Sequence, residues 1–94
     1  MEEIVGVHVV VQGKVQGVGF RAFAENQATK KGLHGWVRNR QDGTVEIEAE
    51  GSRPLLEAFL QALEKGPLFA HVTQIIVDWK DSNRHTQGFT IRRG

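Results

Sequence analysis

The residues best suited to chemistry stand in one run, Gly13-Lys14-Val15-Gln16-Gly17-Val18-Gly19-Phe20-Arg21. Glycines at 13, 17 and 19 let the backbone enter conformations closed to other residues, so that successive N–H groups can turn inward and form a nest for an anion. A helix beginning near Phe20 adds its own free N–H groups and the positive end of its dipole, and phosphate is the natural guest. Arg21, in the first turn of that helix, is unfavourable against the dipole alone, a conflict that a bound anion removes. Its planar fork could then grip two phosphate oxygens and counter charge developing in a transition state. Spacing by itself fits equally well a glycine-rich turn followed by a surface arginine. Gly17-Val18-Gly19 lacks the third glycine of a dinucleotide fingerprint, and no P-loop glycine precedes Gly13-Lys14, so no nucleotide cofactor is expected.

The other reactive side chains offer less. The four histidines, His8, His34, His71 and His85, show no metal-ligand spacing, and no metal site is expected. There is no cysteine, hence no disulfide framework, thiolate nucleophile or zinc-thiolate site. Glu46, Glu48 and Glu50 alternate with Val45, Ile47 and Ala49, which reads as the wet face of a strand. Trp36 and Trp79 read as packing residues, and Arg84, Arg92 and Arg93 as solvated charges.

The elements that must position the loop are legible from periodicity. Val5, Val7, Val9 and Val11 recur every second residue and predict a strand over residues 4 to 12. Phe20, Phe23, Ala24, Gln27 and Ala28 share one helical face, giving a helix over about 20 to 31 that Gly32 terminates behind Lys30 and Lys31. Residues 35 to 39 and 44 to 50 flank Arg40-Gln41-Asp42-Gly43 as a β-hairpin. Ser52 suits an N-cap and Pro54 a first turn for a helix over about 53 to 65, with Leu56, Phe59, Leu60 and Leu63 on its apolar stripe and Gly66-Pro67 as its stop. A strand follows over 72 to 80, then a polar loop from Asp81 to Gln87, then a short extra strand at Phe89-Thr90-Ile91.

This order predicts an α+β fold, a ferredoxin-like βαββαβ sandwich with two helices on one face of an antiparallel sheet. In that arrangement the first and second strands run parallel. The loop after residue 12 and the end of the second strand near Asn39 then emerge at the same sheet edge, where Arg21 and Asn39 can be neighbours.

The run from Gly13 to Arg21 resembles the G-x-V-Q-G-V-x-F-R signature of acylphosphatases. Gly35-Trp36-Val37-Arg38-Asn39 with Asp42-Gly43-Thr44-Val45-Glu46 resembles their second signature, G-W-V-x-N followed by D-G-x-V-E. The likeness continues through Gly51, Gly66-Pro67 with Ala70 and Val72, and Phe89-Thr90-Ile91. It implies hydrolysis of acyl phosphates to a carboxylate and inorganic phosphate without metal or cofactor. On this resemblance Arg21 would hold and orient the phosphoryl group, the loop backbone of Val15, Gln16, Gly17, Val18, Gly19 and Phe20 would bind its oxygens, and Asn39 would position the attacking water.

Bulk composition agrees with such an enzyme. Ninety-four residues, 39% hydrophobic and 24% charged, suit one domain over 1–94. No apolar run is long enough for a membrane helix, and no secretory or transit signal is evident at the N-terminus, so a cytoplasmic monomer acting on a small molecule, with no membrane partner, is expected. A net charge of +1 is far from the basic excess of a general nucleic-acid binder. An RNA-recognition module shares the βαββαβ order, but it needs aromatics on its central strand, where Thr44 to Glu50 offers only acidic alternation, so no nucleic-acid partner is expected. A binding domain without activity, or a detached acylphosphatase-like domain of a larger carbamoyl-transfer protein, is the closer rival. The 94-residue length, together with both Arg21 and Asn39, favours the free enzyme.

Overall fold

The computed structural model describes residues 3–82 and 87–93. Arg84 and His85, within the polar loop expected between the last two strands, lie outside the described residues.

Valine alternation builds β1 (Ile4–Lys14), whose Val7, Val9 and Val11 are fully buried. Helix α1 (Phe20–Lys30) buries Phe20, Ala24 and Ala28 and ends as expected, with Gly32 at φ 67° and its N–H bonded to the Thr29 carbonyl. The hairpin consists of β2 (His34–Asn39) and β3 (Val45–Ser52), joined through a turn in which the Asp42 carboxylate accepts from the Thr44 hydroxyl at 2.6 Å and the Thr44 N–H at 3.0 Å. Those two bonds hold the Asp42 carboxyl below its usual value. Helix α2 (Arg53–Lys65) buries Leu56, Phe59 and Leu63, and β4 (His71–Asp81) and β5 (Phe89–Arg92) follow.

Ser52 departs from expectation. It occupies the N-cap position of α2 in an extended conformation but makes no side-chain cap bond. The reason is pairing: Ser52 is still part of β3, opposite Ile4, and its hydroxyl is buried without a hydrogen-bond partner among the described residues.

The sheet runs β4-β1-β3-β2-β5. The β4–β1, β1–β3 and β3–β2 pairs are antiparallel, and α1 and α2 cover one face. The antiparallel expectation stops at the last strand, because β5 pairs with β2 in parallel, Gly35 opposite Phe89 through Arg38 opposite Arg92. Strand β4 finishes with Asp81 opposite Val5, at the end of the sheet where β2 begins. Strand β5 starts at that same end, with Phe89 beside Gly35 near the start of β2. His34, which the sequence left without a role, marks the place: its Nδ1 accepts from the Gly88 N–H at 2.8 Å, while the Gly35 N–H donates to the Gly88 carbonyl at 2.9 Å.

The open face carries the alternating glutamates, each engaged. Glu46 accepts from Arg38 on β2 at 2.6 Å and pairs with His8 on β1 at 2.7 Å, so one carboxylate ties three strands. Glu48 pairs with Lys80 on β4, and Glu50 with Ser82. Arg92 is not simply solvated; it stacks over Trp36 at 4.6 Å, as Arg53 does over Trp79 at 4.2 Å.

Burial pushes the Glu46 carboxyl up, but the hydrogen bonds and charges of His8 and Arg38 outweigh it and hold the group below its ordinary value of 4.5. A depressed folded value contributes stability that is fully present above 4.5 and is lost as pH falls through the folded value. Glu46→Gln is therefore expected to lower unfolding stability by about 1 kcal/mol at neutral pH, measured by urea denaturation. The gap from wild type should close as the medium is acidified, and a gap that persisted undiminished in acid would contradict this role.

Candidate active site

Between β1 and α1 the chain is fixed at both ends by apolar side chains. Val15 and Phe20 are each only 1% exposed, and Phe20 also packs edge-inclined on Phe23 with ring centres 6.0 Å apart. Gly13, at the root of the loop, is demanded by close approach. The β1–β4 register shifts between Gln12 and Gly13, and a Cβ at Gly13 would lie 2.1 Å from the His71 carbonyl oxygen.

Gly17 and Gly19 are glycines for a different reason. Open space surrounds both, but their φ values are 74° and 79°, left-handed conformations that other residues adopt at a cost. Gly19 is the N-cap of α1, and no side chain caps that end. The glycine carbonyl accepts from the Phe23 N–H at 3.0 Å, so the helix is closed on its carbonyl side while its first N–H groups remain open toward the loop. This is the arrangement that suits an anion.

Arg21 is half-buried and has no hydrogen bond or ion pair among the described residues. Asn39 is the last residue of β2, opposite Val45. Its Oδ1 is buried and accepts no hydrogen bond among the described residues. Arg21 and Asn39 meet as expected, both lining a cleft of about 250 Å³ with Val15, Gly17, Gly19 and Phe20. Ala22, Ile91 and Arg93 complete the wall. Among the described residues its lining has two guanidinium groups and no carboxylate, which makes it a local anion site in a chain of near-zero net charge.

Two members of the predicted loop face elsewhere. Val18 packs partly against the core. Gln16 turns its side chain away from the cleft, and its Nε2 donates to the carbonyls of Arg40 at 2.8 Å and Thr44 at 2.9 Å. Sequence reading missed this bridge, and it also missed Ile91 and Arg93. For the last two a signal existed: Phe89, Ile91 and Arg93 share one parity, and only the direction of the last strand was needed to point them at the cleft. Among the described residues no group of three or more His, Asp or Glu side chains is disposed to hold a metal ion.

Comparison with known proteins agrees with this geometry. The family model described as Acylphosphatase matches residues 7–91. The chain is 44% identical to the acylphosphatase of Geobacillus thermodenitrificans over 88 residues, which cover 94% of each protein. In three dimensions it is similar to the crystal structure of acylphosphatase from Bacillus subtilis, with a TM-score of 0.91, 43% identity and coverage of 94% of this chain and 98% of that one. It is also similar to part of full-length HypF, solved in a phosphate- and nucleotide-bound form, with a TM-score of 0.85 and 29% identity; there the match takes 98% of this chain but 12% of the larger protein.

The left-handed backbone at the helix start gives a direct test. Gly19→Ala meets no steric obstacle, so it is expected to cost only the conformational penalty, about 1 to 2 kcal/mol. Gly19→Asn should cost visibly less, since asparagine tolerates the same conformation. Denaturation midpoints for the two variants measure the difference, and equal losses would argue against a φ-limited position.

Proposed function

Because the chain belongs to the acylphosphatase family, and is an enzyme that hydrolyses acyl phosphates, we propose that the reaction takes place in the cleft between the Gly17–Gly19 loop, Arg21 and Asn39, without a metal ion. The observation that carries this reading is one cleft lined by the Arg21 guanidinium and the buried Asn39 amide oxygen, neither of them hydrogen-bonded among the described residues.

The phosphoryl group sits at the N-terminus of α1. Loop N–H groups from Val15 to Phe20, together with the helix dipole, hold its oxygens, and the Arg21 guanidinium spans two of them. Asn39 Oδ1 accepts one hydrogen of the attacking water and aims its lone pair at phosphorus. Water oxygen bonds to phosphorus as the bond from phosphorus to the carboxyl oxygen breaks, the electron pair leaving with the carboxylate. The surplus proton of the water passes to a phosphoryl oxygen. An acyl phosphate has a weakly basic leaving group, so no general acid is required, and phosphoryl transfer rests on positioning and charge stabilisation.

Residues 1–94 are read as one domain working as a monomer in the cytoplasm. Support for the single domain comes from the core cluster that β1, β2, β3, β5, α1 and α2 share among the described residues.

Benzoyl phosphate hydrolysis, followed by absorbance with EDTA present, tests the assignment. Arg21→Ala should lose roughly two to three orders of magnitude in kcat/KM, with phosphate binding weakened as well. Asn39→Ala should lose a similar factor in kcat while KM changes little. Equal rates for wild type and both variants would refute the mechanism. Phosphate binding without turnover in the wild type would favour a binding domain, and activity abolished by EDTA and restored by a divalent cation would remove its metal-free part.

A further inference from the structure

The cleft is assembled from chain segments that are not neighbours in the sheet. The loop hangs from β1, Asn39 ends β2, and β3 lies between them. The sheet alone therefore fixes the two halves only through an intervening strand. The Gln16 amide closes the gap directly. Its two N–H bonds go to the carbonyls of Arg40, the residue after Asn39, and Thr44, at 2.8 and 2.9 Å. Those carbonyls are the ones that close the hairpin turn, since Thr44 O accepts from Arg40 N–H at 2.9 Å and Arg40 O from Gly43 N–H at 3.2 Å.

We propose that Gln16 is a positioning residue that sets the distance between the water held by Asn39 and the phosphorus atom held by the loop. The inference rests on the cleft reading given above and assigns to the Gln16 side chain a task separate from that of its backbone. The residue type follows from the acceptors. Two carbonyl oxygens require one group with two donated hydrogens, which an amide NH₂ supplies and a carboxylate or thioether does not. The phosphoryl oxygens are held by loop N–H groups and Arg21, so releasing the bridge alters the approach of water more than the grip on phosphate. Misplacement on the scale of 1 Å at a reacting pair costs on the order of a hundredfold in rate.

A double-mutant cycle between Gln16→Met and Asn39→Ala, read as kcat and KM for benzoyl phosphate, tests this. Gln16→Met alone is expected to lower kcat by roughly ten- to a hundredfold with a KM change within about threefold. In the Asn39→Ala background the same substitution should lower kcat by less than about twofold, because the group it positions is gone. Gln16→Lys, whose ammonium can still donate to both carbonyls, should recover part of the loss and guards against a folding defect in Gln16→Met. Equal losses of kcat in both backgrounds, or a loss confined to KM, would overturn the inference and leave Gln16 a support of the phosphate loop alone. Failure of the cleft reading itself is distinguishable, since Asn39→Ala would then match wild type within the same cycle.

Discussion

Because β3 lies between β1 and β2 and runs opposite to both, those two strands must point the same way, and their ends must reach the same edge of the sheet. Everything at the cleft depends on that constraint. Without it, the glycine loop after β1 and the asparagine at the end of β2 would sit at opposite ends of a molecule whose long dimension is 38 Å. The pairing is secured by side-chain pattern more than by any single contact. Val7, Val9 and Val11 face Ala49, Ile47 and Val45 across one ladder, and Val37 faces Ile47 across the next, all on the helix-covered side. A one-residue slip would turn those buried side chains to water and bring the glutamates of β3 under the helices.

The same alternation separates charge by face. Acidic residues of β3 collect on the open side, where His8, Arg38 and Lys80 meet them. The cleft at the sheet edge is left with arginines and the positive end of a helix. Placing Arg21, which is half-buried, in a first turn costs about 1 to 2 kcal/mol at most against the dipole. That is small beside the attraction both would exert on a doubly charged phosphoryl group, so the local penalty and the proposed use are compatible.

Most of this was open to reading before any coordinates. Helix limits at Phe20 and Lys65, the hairpin around Asp42-Gly43 and the meeting of Arg21 with Asn39 follow from periodicity, turn chemistry and strand order, all local or topological signals. What escaped reading depended on long-range register. Ser52 looked like a cap because its type and position suit one, but pairing with Ile4 claimed it first. Arg92 looked solvated because the ring it stacks on, Trp36, is distant in sequence and reaches it only once β5 lies beside β2. The Gln16 bridge joins segments whose partners are backbone carbonyls, and a carbonyl carries no residue identity for a sequence to display.

Strand β1 carries a further consequence, a kinetic one. Helix α1 and the β2–β3 hairpin are local in sequence and close quickly, but β1 is completed on its other side by β4, with Gly13 opposite Val72 and Lys14 opposite His71. Bringing such distant segments together incurs loop-closure entropy before the contacts return anything, which slows folding for topologies of this kind. The root of the glycine loop is thus held by a pairing between segments more than fifty residues apart in sequence, Lys14 with His71. A nascent chain can be largely helical and paired while its anion site does not yet exist.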